Sequence, residues 1–355
     1  APPAERLYPV LDDLLSEWTA RARMPFEGIR LVGARWSRQC YLTREFLSRN
    51  QVPYQWIDLE QDDSMRELVS TLAGGVTRLP VVLFPDGSHL VEPENLALAA
   101  KVGLSTQATR PFYDVVIIGG GPAGLANAVY AASEGLRALL VEQNAPGGQA
   151  GTSSRIENYL GFPSGITGAD LAQRATTQAR RLGAEILTAR EVTGIRREDP
   201  YRIVRFADGT EVSSFAVLIS TGMAVRMLEK PGIEPLVGAG VYYGAAMSEA
   251  ALYRGKDVCV IGGANSAGQG ALFFARYARR VIVLVRAGGI EKSMSHYLVE
   301  QIKATENIEV LANAEVSSAH GTDHLERIVV QNVETGATSD LAVSAMFIFI
   351  GVSPR

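Results

Sequence analysis

Asp114-Val115-Val116-Ile117-Ile118-Gly119-Gly120-Gly121-Pro122-Ala123-Gly124 decides the fold. Residues 115–118 are an apolar, β-branched run of strand length, and they feed directly into G-x-G-x-x-G. The small-residue-rich stretch 125–133 then reads as a helix. Gly119 permits the tight turn, Gly121 leaves the backbone bare where a pyrophosphate would approach, and Gly124 lets helix and strand pack closely. Pro122 and Ala123 open the helix, whose N-terminus would face the phosphates. A second strand at 138–141 ends in Glu142, near the ~20-residue distance at which an acid binds a ribose hydroxyl. The glycine pattern alone is weak evidence. Strand, glycines, helix, strand and terminal acid in that order are strong, and they predict an α/β, Rossmann-like dinucleotide site.

The plan recurs further along. Val258-Cys259-Val260-Ile261-Gly262-Gly263-Ala264-Asn265-Ser266-Ala267 is a second strand-loop-helix unit, and the next strand, 281–285, ends in Arg286. Gly262 and Ala267 fit G-x-G-x-x-A, but Ala264 takes the second glycine position, where a methyl would weaken nucleotide binding. Arg286 stands where NAD-preferring sites carry an acid. That favours NADPH over NADH as the second nucleotide, although a solvated surface charge reads equally simply. From Tyr113 onward strands alternate with helices, the signature of a parallel sheet.

Upstream, Leu7, Val10, Leu11, Leu14, Leu15 and Trp18 recur at helical spacing and predict one amphipathic helix over 4–23, ended by Pro25 and Gly28. A compact alternation follows, with strands at 29–32 and 54–59 and helices at 40–49 and 64–72. Leu79-Pro80 opens a strand at 81–84, Pro85-Asp86-Gly87 turns, 88–90 pairs back, and a helix covers 96–102. The polar, non-periodic stretch 103–111 reads as a linker.

Composition removes several classes of function. Of 355 residues, 47% are hydrophobic and 20% charged, so the chain reads as globular, with a prior of two to three domains. Its apolar runs are strand-sized, which excludes a membrane span. A net charge of −4 offers no general attraction to nucleic acid or anionic membrane. Cys40 and Cys259 are the only two cysteines, which excludes a disulfide framework and fits a reducing, cytoplasmic setting.

Gly147-Gly148-Gln149, Ile156-Glu157-Asn158-Tyr159-Leu160-Gly161-Phe162-Pro163 and Leu218-Ile219-Ser220-Thr221-Gly222 closely resemble segments of the low-molecular-weight thioredoxin reductases. The resemblance runs from Tyr113 to Arg355. The first eighty or so residues after Gly28 resemble the glutaredoxin and thioredoxin fold, with Pro80 where that family keeps its cis-proline. The resemblance implies a two-dinucleotide flavoprotein behind a degenerate thioredoxin-like module. Its parts would be residues 1–105 (the module), 106–112 (linker), 113–228 (FAD binding), 229–346 (NAD(P)H binding) and 347–355 (the start of a return to the FAD domain, with the remainder missing). FAD would be held by Gly119, Gly121, Pro122, Ala123, Gly124, Glu142, Gly148, Gln149, Asn158, Thr221 and Gly222. NADPH would be held by Gly262, Ala264, Asn265, Ser266, Ala267 and Arg286. The resemblance also implies a homodimer.

Two family dithiols are missing. The C-x-x-C-D of the resembled reductases falls at Ala245-Ala246-Met247-Ser248-Glu249, and the W-C-x-x-C of the module falls at Trp36-Ser37-Arg38-Gln39-Cys40. A hydroxyl cannot carry disulfide chemistry, so Ser248 can at most hydrogen-bond near the flavin. Glu249 is a candidate proton donor there, or simply an acid favoured at a helix start. Cys40 and Cys259 lack partners in the sequence. The expected function is hydride transfer from NADPH to FAD, then to a small-molecule or protein acceptor. The rivals are a non-catalytic redox sensor and a reductase that uses a partner's cysteines.

Overall fold

The structure, a computed structural model, describes residues 28–75, 78–244 and 247–355, with the backbone alone for Met247 and Ser248. The helix expected over 4–23 lies outside the described residues.

The N-terminal unit runs β1 (Ile29–Gly33), α1 (Arg38–Arg49), β2 (Tyr54–Asp58), α2 (Asp63–Ala73), β3 (Val81–Leu83), β4 (His89–Val91) and α3 (Asn95–Lys101). Its sheet has the order β2-β1-β3-β4, with β1 and β2 parallel and the other pairs antiparallel. Local chemistry sets the helix starts. Ser37 caps α1 by accepting from the Cys40 N–H at 3.3 Å, and Asp62 caps α2 by accepting from Met65 N–H at 3.1 Å. Gly74, in the left-handed region at φ 69°, ends α2. Leu31, Phe46, Leu47, Val82 and Leu98 form the core. The Leu79-Pro80 peptide is cis, as the sequence predicts.

The first glycine-loop unit follows: β5 (Phe112–Ile118), α4 (Pro122–Ser133), β6 (Ala138–Val141), α5 (Gly168–Leu182), β7 (Glu185–Leu187), β8 (Val192–Glu198), β9 (Tyr201–Phe206) and β10 (Glu211–Ile219). Its sheet order is β7-β6-β5-β10-β9-β8. Alternation along β5 sends Ile117 to the core under α4 and α5, and Val116 and Ile118 to the opposite face. The expected all-parallel sheet needs correction here, because β8, β9 and β10 pair antiparallel. The turns at Asp199-Pro200 and Asp208-Gly209 are too short for a parallel crossover and can only join antiparallel neighbours.

The second glycine-loop unit contains β11 (Met223–Val225), β12 (Val241–Tyr243), a 3-10 helix (Met247–Tyr253), β13 (Asp257–Ile261), α6 (Asn265–Ala275), β14 (Arg280–Val285), α7 (His296–Lys303), β15 (Ile308–Ala312), β16 (Ala314–His320), β17 (Arg327–Asn332), β18 (Thr338–Ala342), β19 (Ala345–Ile348) and β20 (Val352–Pro354). A parallel sheet of order β12-β19-β13-β14-β15 carries the helices on one face and the β16-β17-β18 antiparallel sheet on the other. β11 and β20 pair antiparallel in a two-stranded ribbon. Cys259 is fully buried at the centre of β13, and burial pushes its thiol up.

Candidate functional site

Each of the two sheets carries a glycine loop at the carboxyl end of a strand flanked by parallel neighbours, β5 and β13, the position at which open α/β sheets bind ligands. In the first unit Gly119 takes φ 103° and lies so close to the Ser220 carbonyl that any side chain would collide with it. The Ser220 hydroxyl lies 3.0 Å from the carbonyls of both Ile118 and Gly119 and holds the turn. Gly124 packs on the Gly119 carbonyl with no space for a Cβ. Gly121, at the N-cap of α4, is different. A Cβ there would meet only the Cα of Gly148, at 4.0 Å, so open space faces bare backbone at the helix start.

Glu142 directly follows β6 and is 9% exposed. Gly120 N–H donates to its Oε2 at 2.7 Å, and Asn144 N–H donates to its Oε1 at 2.9 Å. The acid therefore ties the glycine loop to the next strand, and each oxygen keeps a lone pair for a ribose hydroxyl. Segment 146–152 lies over the loop, with Gly147 N–H donating to the Gly120 carbonyl at 2.7 Å. Pro122, Ala123, Gln149, Asn158 and Gly222 are exposed, and Gly148 and Thr221 are half-buried. A bare N-cap, a helix start and an acid on the next strand are the donor and acceptor set a dinucleotide needs, so these residues fit FAD.

In the second unit Gly262 takes φ 141° and presses against the Phe349 carbonyl. Ala264 caps α6 in extended backbone, with φ −101° and ψ 178°, and is exposed. Its methyl therefore stands where the first loop offers open space. Asn265 is already engaged: it donates to Ser295 Oγ at 2.9 Å and accepts from the Ser295 N–H at 2.7 Å. Ser293 Oγ donates to the Gly263 carbonyl at 2.7 Å. Segment 293–295 thus straps the second loop much as 146–152 straps the first. Ser266 is exposed, Ala267 is buried where helix meets strand, and Arg286 is exposed at the end of β14. Sequence reasoning missed Ser220, Ser293 and Ser295, whose short polar side chains carry no signal until the turns beside them are known.

Ala245 and Ala246 and the side chain of Ser248 lie outside the described residues, so Ser248 receives no placement. Glu249 does, in the first turn of the 3-10 helix. It is fully buried on the 3-10 helix, with Oε2 3.1 Å from Arg44 Nη2 of α1. Arg44 also lies over the Trp56 ring, 4.5 Å from its centroid. Tyr41, Tyr242 and Tyr253 surround the pair, and burial pushes all three phenols up. The acid met a partner on another unit, which no local pattern could announce. Cys40 is buried with its sulfur against Gly33, and burial raises its thiol. Among the described residues no group of His, Cys, Asp and Glu could hold a metal ion, and no helix is long and apolar enough to cross a membrane.

Residues 113–355 match the family described as pyridine nucleotide-disulphide oxidoreductase. The chain is 36% identical over 252 residues to a thioredoxin reductase of Mycolicibacterium smegmatis, covering 71% of this chain and 79% of that one. It is 35% identical over 248 residues to the bifunctional thioredoxin reductase/thioredoxin of Mycobacterium leprae, covering 70% of this chain and only 53% of that longer protein. Among solved structures, the thioredoxin reductase of Lactococcus lactis in its FR conformation superposes with a TM-score of 0.65 at 32% identity, over 68% of this chain and 78% of that one.

Proposed function

The chain belongs to the pyridine nucleotide-disulphide oxidoreductase family, among its thioredoxin reductase-like members, and from that premise we propose that it is an FAD- and NADPH-dependent oxidoreductase with no redox dithiol of its own. The observation that carries the reading is the first loop: bare backbone at Gly121, the start of α4 and the carboxylate of Glu142 converge on one open edge. Bound FAD would supply two-electron chemistry, accepting a hydride from the nicotinamide and passing reducing equivalents on. Around it, Gly119 and Gly124 fix the turn, α4 directs N–H groups at the pyrophosphate, and Glu142 accepts from the ribose. Gln149, Asn158, Thr221 and Gly222 are the residues that would hold the ring end of the cofactor. On the second unit, Arg286 would pair with the 2′-phosphate of NADPH, while the methyl of Ala264 would limit affinity.

The acceptor is one that needs no active-site dithiol, such as a quinone, oxygen, a one-electron carrier protein or an external disulfide. The N-terminal unit is then a degenerate thioredoxin-like module, its nucleophile position held by Ser37. The methyl of Ala264 favours one rival, a sensor that binds nucleotide without turnover. Flavin content after reconstitution tests the leading reading: wild type should hold about one FAD per chain, and Gly121→Val should hold at least tenfold less. A variant with wild-type flavin content would overturn the placement.

A further inference from the structure

Of the two segments singled out for their missing cysteines, the first leads into α1 and the second ends at Glu249, and Arg44 of α1 pairs with Glu249 across about 200 residues of chain. Helix α1 makes the contact. Its first turns enter the core of the second unit: Tyr41, 6% exposed, belongs to the same apolar cluster as Tyr242, Tyr253, Phe274 and Phe347. The Tyr41 and Tyr242 rings lie 5.2 Å apart. Trp36 stacks on His324 at 4.7 Å and 15°, and Arg38 Nη1 pairs with Glu234 Oε1 at 2.9 Å. Gly238, at φ 86°, lies so close to Arg38 that a side chain there would meet its Cα at 2.8 Å. Arg44 and Glu249 form the buried ion pair at the centre. The far end of α1 touches the first unit, where Arg49 donates to the Gly148 carbonyl at 3.1 Å and Asn50 to the Asn144 carbonyl at 3.2 Å.

We propose that the N-terminal unit is a permanent, redox-silent occupant of the face of the second unit around the 3-10 helix, latched by Arg44–Glu249, and that it closes this face to any dithiol protein. The contacts have the character of a core, not of a passing encounter. An aromatic cluster is shared across the boundary, a glycine is required for close backbone approach, and the charge pair is almost fully withdrawn from water. With the face closed, neither ion tolerates the loss of the other, because a lone charge would stay buried without compensation; the pair therefore fixes which surfaces match, while the shared aromatic cluster supplies the adhesion. Within the interface the sole thiol is that of Cys40, which faces Gly33 on its own unit. The inference narrows the acceptor of the proposed oxidoreductase to species that need no docking on this face, and it rests on that reading only for this consequence.

Hydrogen exchange on the full chain tests it. In wild type, the amides of 41–49 and 249–253 should exchange together and as slowly as those of β13. Arg44→Met should accelerate both segments together by about 100-fold, the scale for removing one partner of a buried pair, and leave β5 and β13 protected. If that variant loses protection throughout, the double variant Trp36→Ala/Arg38→Ala decides, since it removes only rim contacts and should accelerate both segments about tenfold. Adding thioredoxin to wild type should leave exchange of 249–253 unchanged. The proposal is overturned if the two segments exchange independently in either usable variant, if α1 exchanges freely in wild type, or if thioredoxin slows exchange at 249–253. Flavin retention, which reports the functional reading, does not enter any of these outcomes.

Discussion

The two glycine loops are built on one backbone plan and differ in what they leave open. Both turn at a glycine with positive φ, at Gly119 and Gly262, and both are strapped by a following segment. The first keeps bare backbone at Gly121 and places the acid Glu142 on the next strand. The second has Ala264 and Arg286 at the corresponding positions. A methyl and a charge reversal leave the fold untouched because both positions lie at the open edge: Ala264 and Arg286 are exposed, whereas the turn and packing positions are not. Fold and ligand preference therefore reside in different residues of the same loop, and each can be changed without the other.

The largest effect that could break this comparison is the loss of flavin in Gly121→Val, because its side chain would enter the space that the first loop keeps clear. Next is Arg286→Ala. Removing a charge-assisted contact worth about 1.5–3 kcal/mol should lower the preference for NADPH over NADH by roughly 10- to 100-fold, read from the two binding constants. An unchanged ratio would make Arg286 a plain surface charge. Ala264→Gly should sharpen the likeness of the two loops and tighten NADPH by about threefold to tenfold in a direct titration. Unaltered affinity would mean that the loop already clears the ligand.

The smallest effect concerns the scaffold under the first loop. The Tyr113 hydroxyl donates to Glu185 at 2.7 Å, and burial together with that carboxylate pushes its phenol up to about 12. A raised folded-state value means that the contribution is complete below the unfolded value of about 10 and is lost as pH rises toward about 12. Wild type should therefore lose stability across that window. Tyr113→Phe should be less stable by about 1 kcal/mol at pH 7 and show a shallower alkaline decline in denaturant melts. Equal slopes would remove Tyr113 from the account.

Much of the architecture was legible because it is local. The strand-glycine-helix order around 114–133 and around 257–275 and the acid Glu142 after β6 all follow from neighbouring residues. The β8-β9-β10 meander was misread as part of a parallel alternation, because its turns needed to be weighed against crossover length. The partner of Glu249 was beyond reach for a different reason. Arg44 lies about 200 residues away on a unit with its own core, and an acid after a turn looks the same in sequence whether it faces a ligand or a buried guanidinium. Likewise Arg49 and Asn50 read as an ordinary helix end, and only the fold sets them against Gly148 and Asn144.

The most direct test of the central claim is an anaerobic titration of the FAD-reconstituted chain with NADPH, followed by the flavin absorbance near 450 nm. The account predicts stoichiometric bleaching, with no long-wavelength thiolate charge-transfer band in the reduced protein, as the proposed lack of a flavin-facing dithiol requires. Flavin that stays oxidised under saturating NADPH would contradict it and leave a nucleotide-binding protein without turnover.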